Sequence, residues 1–367
     1  APEILQLTER RTKFLQALTR LQHKGMRMQT TWTLFRARIN GDWNWWARTT
    51  GLPPSVQHAL DSEVMQFLVE SFVLNGTPHQ LERLHHKIAD GGTGITRVVE
   101  GGPAALAASW AACYARVLES CKLDDFSGLQ KLLPQASAAL RTVSSALQAS
   151  RDTEIPQPVD HTAKISQKLV MKLAHKQTLL KWEKAATQND SAWRQSCTGK
   201  AGQWLANPTM PEHIMTDADF GTALALRLGT KIVPGTLGCP LRNGKTGQSC
   251  NVIMDMQARH ALSCPCEGSL IKRHDDVRDM LAGWCKQNGC INVNTETHVH
   301  HREKHHCRSD IDYVDQVTMQ VVHLDIAVVS PLSVQALEKG SDRTPGVAAK
   351  THEIHKVTNS AHTIIPI

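Results

Sequence analysis

Three aspartates near the C-terminal end carry the sharpest chemical signal in the chain. Asp310 and Asp312 are two residues apart, so in a strand they project to one face. Asp325 sits inside Val321-Val322-His323-Leu324-Asp325-Ile326-Ala327-Val328-Val329, a largely apolar run. A carboxylate in such a run is costly to bury unless it is paired or holds a cation. Glu296 closes an earlier extended stretch. If these stretches are neighbouring strands, Glu296, Asp310 and Asp325 converge at one sheet edge. Hard oxygen donors with open water positions suit Mg²⁺ or Mn²⁺. Such an ion polarises a phosphate and lowers the pKa of an attacking water, and a nearby lysine stabilises the developing charge. The competing reading is strand-end acids making loop hydrogen bonds. That reading is preferred for Asp312, and metal binding for Asp310 with Asp325.

A second signal lies upstream. Of ten cysteines, Cys113, Cys121 and Cys197 are scattered, and the other seven fall between Cys239 and Cys307. His260, His274, His298, His300, His301, His305 and His306 share that stretch. The first turns carry Glu9, Arg10, Arg11 and Lys13 where a signal peptide has an apolar core, so clustered Cys and His point to metal before disulfides. Cys239, Cys250, His260 and Cys264 have the donors of a tetrahedral zinc site. Ten, nine and three residues separate them. The first gap is wider than the usual two to four. Cys266 is a spare ligand. Ordinary buried thiols are the alternative; zinc is preferred, in a structural role, because so short and polar a region builds little core. The tract from His298 to Cys307 reads as a polar hairpin.

Phosphate-binding candidates are weaker. Lys164, Lys168, Lys172 and Lys176 recur every fourth residue and form a basic stripe on a helix, opposite Ile165, Leu169, Leu173 and Leu180. Each can neutralise a phosphate and release a counterion, and a solvated face explains them equally well. For Arg10, Arg11, Lys13 and Arg20 on the Leu5–Leu21 helix, a solvated face is preferred. Trp43, Trp45 and Trp46 can stack on bases, but core packing is preferred. Asp90-Gly91-Gly92-Thr93-Gly94 is a turn without the Lys-Ser/Thr ending of a P-loop.

These groups need elements to position them. The 367 residues suggest two or three domains, and 41% hydrophobic residues exclude a wholly disordered chain. No apolar run approaches the length that crosses a bilayer, so no membrane partner is expected. The net charge, 41 − 34 = +7, is compatible with a polyanion partner. The chain starts at Ala1 without Met, as a fragment does. Residues 1–120 and 121–235 read as helical, with a Pro156/Pro158 joint, and Asp217–Leu228 has a Thr216/Asp219 cap and a Gly229 stop. The metal knot occupies 236–268. Residues 269–367 read as helix Leu270–Gln287, strands Ile291–Glu296, Arg308–Val314 and Met319–Ser330, helix Val347–Val357 and a terminal apolar segment. The helix presents Leu270, Val277, Leu281 and Trp284 on one side. The fold class is α+β multidomain: a mainly α N-terminal two-thirds, a small zinc knuckle and a C-terminal α/β domain.

Several motifs, in this order, resemble the C-terminal half of non-LTR retrotransposon polyproteins that carry a restriction-like endonuclease. Asp90-Gly-Gly-Thr-Gly with Ala107-Ala-Ser-Trp110 resembles the helical region after the polymerase palm. Trp204-Leu205 and Ala223–Gly229 look like the linker. Arg259-His-Ala-Leu-Ser-Cys264 is similar to the knuckle ending, and Arg273-His274-Asp275-Asp276-Val277-Arg278-Asp279 to the nuclease opening. The resemblance implies a PD-(D/E)xK nuclease in which Asp310 and Asp325 bind Mg²⁺ or Mn²⁺, Glu296 assists and Lys356 is the catalytic lysine, with Lys350 its rival. Ser309 replaces a usual proline, and the chain stops inside the expected last strand. It further implies a thumb-like first region, a DNA target and element RNA as partners, a nuclear location, and nucleic-acid contacts from the lysine stripe and Arg273. Neither Asp124-Asp125 nor Asp275-Asp276 has the aromatic-x-Asp-Asp context of a polymerase. A nucleic-acid-binding fragment with an inactive nuclease is the alternative.

Overall fold

In the computed structural model, residues 2–121, 134, 166–205, 214–233, 237–299, 307–359 and 365–366 are described. They group into two compact units. The first comprises 1–186 and 197–230, and the second 187–196 and 231–367.

The first unit is helical: α1 (Pro2–His23), α2 (Met28–Ile39), α3 (Asn44–Thr49), α4 (Pro54–Ser71), α5 (Pro78–Leu81), α6 (Val98–Cys121), α7 (Gln167–Ala185) and α9 (Asp217–Leu228); α8 (Gln188–Ser196) belongs to the second unit. Its core is aromatic. Trp32 and Phe72 meet edge to face at 5.3 Å, and Phe35 stacks on Phe67 at 5.1 Å. The cap of α9 forms as its sequence predicts: the Thr216 side chain accepts from the Asp219 N–H, and Gly229 turns left-handed at φ 71°. Trp43 is buried in a second cluster with Leu7, Leu60 and Val98, and Trp46 packs against it. Trp45 stands 61% exposed.

Two expectations for helix faces are corrected. Arg11 is not on a solvated face; it is buried beside Asp42. On α7 the buried side is Val170, Leu173, His175 and Trp182, while Leu169 and Leu180 are exposed. The packing of α7 on α6 selects this face, and tertiary contacts override the leucine spacing. Lys168, Lys172 and Lys176 are exposed as expected. Lys164, Ile165 and the Pro156/Pro158 joint lie outside the described residues.

The Gly-rich turn is a structural hub rather than a phosphate cradle. A Cβ on Gly92 would lie 2.3 Å from the His86 carbonyl oxygen and 2.4 Å from that of Arg83. Arg227 of α9 donates to the carbonyls of Gly92 (2.8 Å), Ile88 (2.7 Å) and Ala201 (3.3 Å). Three motifs far apart in sequence thereby meet in one buried joint.

In the second unit, α10 (Ser269–Gln287) packs on a sheet of order β1-β2-β3-β4: β1 (Ile291–Val299), β2 (Cys307–Val314), β3 (Val321–Asp325) and β4 (Ile365–Pro366). The first three are antiparallel, and β4 joins β3 in parallel. Two helices, α11 (Val334–Glu338) and α12 (Val347–Asn359), lie between β3 and β4 in sequence. The third strand is shorter than the Met319–Ser330 run and ends at Asp325, which is therefore a strand-end residue. Its core is Ala282, Ile311, Leu324 and Ile326, with Val277 and Leu281 against it. Leu270 and Trp284 of α10 are exposed. Residues 300–306 of the histidine tract lie outside the described residues, between strands paired at Val299 and Cys307. The architecture is α+β.

Candidate metal centre and acidic row

The wide spacing of Cys239 and Cys250 has a simple cause. They sit on opposite arms of a β-ribbon, bridged at Gly238–Ile253 and Arg242–Ser249. The Cys239 N–H donates to Val252 O at 2.8 Å, and that of Cys250 to Leu241 O at 2.9 Å. Asn243 closes the ribbon: its side-chain oxygen accepts from the N–H groups of Lys245 and Thr246. Asp255 then accepts from the N–H groups of Gln257 and Arg259, opening the turn that carries His260. Cys264 follows it.

The four donor atoms lie within 4.8 Å of one another and can hold a metal ion such as zinc. Cys239 and Cys264 sulfurs are 3.7 Å apart, Cys264 and Cys250 sulfurs 3.8 Å, and Cys250 Sγ is 3.3 Å from His260 Nε2. A regular tetrahedron with Zn–S bonds of about 2.3 Å has edges of about 3.8 Å. The donors therefore fit zinc in number, softness and spacing. The Cys266 backbone N–H pulls the Cys264 thiol below its ordinary range, whereas burial pushes the Cys266 thiol up to about 11. That contrast favours Cys264 over Cys266 as the thiolate donor. The core here is Cys239, Met254 and Cys264 with a few flanking side chains. Arg273 donates to the carbonyl of Leu262 in the same region.

The carboxylates line up across the sheet. Thr295 pairs with Ile311 and Thr297 with Ser309, so Glu296 lies opposite Asp310. Ile311 pairs with Leu324, so the next position sets Asp310 opposite Asp325. The row thus crosses β1, β2 and β3. Asp325 is close enough to help hold the Asp310 carboxyl low. Asp310 Oδ2 also accepts from the Ile326 N–H at 2.6 Å and lies 3.2 Å from His274 Nε2. Burial alone pushes the Asp310 carboxyl up, but the Ile326 N–H, Asp325 and His274 outweigh it and hold the group below its ordinary value. Glu296 has a left-handed φ of 58°, strained for a non-glycine residue. Arg278 bonds its carboxylate and also holds Asp275 at 3.0 Å and Asp279 at 2.9 Å.

Asp312 takes a different environment. It is buried, accepts from Ser309 Oγ at 2.5 Å and lies 2.6 Å from His323 Nδ1; it is hydrogen-bonded as expected, but to strand residues rather than to a loop. Among the described residues, the acidic row is not a closed set of three cation ligands; the Cys3His cluster is the group so identified. Lys356 lies on α12, but its side chain is outside the described residues; Lys350 is exposed. Sequence reasoning left His274 and Arg278 without a role. Their spacing of four on a helix was the available signal, since it puts both on one face. No family model matches the chain, and no curated protein matches its sequence.

Proposed function

We propose that the C-terminal region is a metal-dependent DNA endonuclease of the PD-(D/E)xK class. It belongs to the kind of retrotransposon polyprotein that the sequence resembles, with residues 236–268 as its structural zinc knuckle. The observation that carries this reading is the Glu296–Asp310–Asp325 row across three paired strands. Two facing carboxylates at adjacent strands repel unless a proton or a cation lies between them. A divalent ion there would polarise a phosphate and lower the pKa of its water. Asp310 and Asp325 would hold the ion, and the Ile326 N–H and His274 fix the Asp310 carboxylate in place. Glu296 assists from the edge, oriented by Arg278. Lys356 supports the transition state, with Lys350 as its rival. Lys164, Lys168, Lys172, Lys176 and Arg273 contact phosphates. The partners are target DNA and element RNA, in the nucleus, and the nick primes reverse transcription by a polymerase site that this chain does not itself carry.

A plasmid-nicking assay in Mg²⁺ or Mn²⁺ tests this. Wild type is expected to nick, and Asp325→Ala and Asp310→Ala are expected not to. Equal activity of wild type and Asp325→Ala would end the proposal. The second reading is a nucleic-acid-binding zinc-knuckle fragment with an inactive nuclease. It is favoured by the bonds that already occupy the carboxylates of Glu296 and Asp310. Under it, no nicking occurs, binding survives Mg²⁺ removal and Asp325→Ala changes nothing.

A further inference from the structure

Two cysteines of the second unit stand outside the metal centre. Cys285 and Cys290 follow the Cys3His cluster in sequence, and that cluster uses neither. Both are free thiols, and both are half-buried, so a small solute in water can reach them.

The end of α10 brings them together. Asn288 caps the helix, and Gly289 turns left-handed at φ 82°. The Gly289 N–H donates to the Lys286 carbonyl at 3.1 Å, and the Cys290 N–H to the Cys285 carbonyl at 3.0 Å. These two bonds, closed by a left-handed glycine, define a Schellman stop. In that motif the side chains three residues before the cap and two after it frequently pack on each other. The pair is ordinarily apolar; here both members are thiols. A side chain in place of Gly289 would be strained by its φ and would meet Gln316 at 3.2 Å. Tyr313 of β2, packed against the core beneath α10, adjoins the pair. Burial, then the two cysteines, push its phenol up. Burial, then the neighbouring Cys290, push the Cys285 thiol up as well.

We infer that Cys285 and Cys290 form a reversible dithiol–disulfide pair, oxidised by a small disulfide such as oxidised glutathione. Burial disfavours the Cys285 thiolate, so the first attack falls to Cys290. Its thiolate attacks one sulfur of the glutathione disulfide, breaks that S–S bond and releases one glutathione thiolate. Cys285 then gives up its proton to water and attacks the Cys290 sulfur of the mixed disulfide. The Cys285–Cys290 bond forms as the second glutathione leaves. Two protein thiols are oxidised, one glutathione disulfide is reduced, and the two protons end on the two glutathione thiols. The bridge staples the end of α10, the helix of His274 and Arg278, to the residue that opens into β1, the strand of Glu296. The inference rests neither on the nuclease reading nor on a metal at the Cys3His cluster.

The test uses the full chain equilibrated in a buffer of reduced and oxidised glutathione. Remaining thiols are then alkylated, and the chain is digested with trypsin for mass spectrometry. Trypsin cuts after Lys286, between the two cysteines. Wild type is expected to give the peptide 279–286 linked to 287–302, and dithiothreitol is expected to separate them. Cys285→Ser and Cys290→Ser, shown to fold by unchanged melting temperatures, are each expected to give a glutathione adduct on the remaining cysteine and no linked product. At one fixed glutathione ratio, linked over unlinked product is expected to be at least about tenfold higher for the folded chain than in urea, because the helix stop holds the two sulfurs together. Three results would overturn the proposal: glutathione adducts on both cysteines without a link, an equal ratio in urea, or either cysteine bridged preferentially to a different one.

Discussion

Removing the metal from the Cys3His cluster is the perturbation whose size follows most directly from the coordinates. In a regular tetrahedron the edge is about 1.63 times the bond, so sulfur separations of 3.7 and 3.8 Å imply metal–sulfur bonds of about 2.3 Å, the zinc–thiolate value. X-ray absorption on the purified chain is expected to show three sulfurs at that distance and one nitrogen, with one zinc per chain. Loss of the metal leaves three thiols and an imidazole in a core whose buried members are Cys239, Met254 and Cys264. Structural zinc contributes roughly 10–16 kcal/mol of apparent binding energy in small domains, more than this cluster can replace. Chelation is therefore expected to abolish amide protection at Cys239, Cys250 and Met254, whose N–H groups pair across the ribbon. The core of the first unit is expected to keep its protection. Cys264→Ser is expected to lose the metal and Cys266→Ser to keep it. An oxygen-only shell, or metal retained by Cys264→Ser and lost by Cys266→Ser, would refute the assignment.

Other predictions concern stability and charge. Burial, with the Arg97 charge adding, pushes the His85 imidazole down to about 3, although the Ile95 carbonyl bond opposes this. In the unfolded chain it titrates near 6.5, so stability is full above that pH and falls as the pH drops toward 3. The linkage costs the first unit about 2 kcal/mol between pH 8 and pH 5. Urea unfolding at the two pH values is expected to show this loss in wild type and a smaller one in His85→Gln. Gly92→Ala forces a methyl against two backbone carbonyls and is expected to destabilise the first unit by roughly 3 kcal/mol; an unchanged unfolding midpoint would contradict that packing. Lys168→Gln/Lys172→Gln/Lys176→Gln removes three exposed charges. If the stripe lies on duplex DNA, the slope of log affinity against log salt is expected to flatten by about 2.7.

What the sequence disclosed depended on how local the governing physics was. The α9 cap was legible because Thr216, Asp219 and Gly229 act within one turn of each other. The Cys3His set was legible because ligand chemistry restricts residue type, though the ribbon that explains the gap between Cys239 and Cys250 was not. The carboxylate row was foreseen only as a condition on strand adjacency, since register belongs to the pairing of β1, β2 and β3 and not to any one strand. Burial was least legible where polar atoms are satisfied at long range. Arg227 reads as an ordinary helix residue until the carbonyls of Ile88, Gly92 and Ala201 surround it. Arg11 reads as solvated until α2 and Asp42 close over it. These two arginines separate two uses of a buried charge. Arg227 donates to three carbonyls and so ties the turn and the helices together. Arg11 pairs with Asp42 and keeps an N–H unmatched among the described residues, so its burial carries a desolvation cost that Arg227 does not bear.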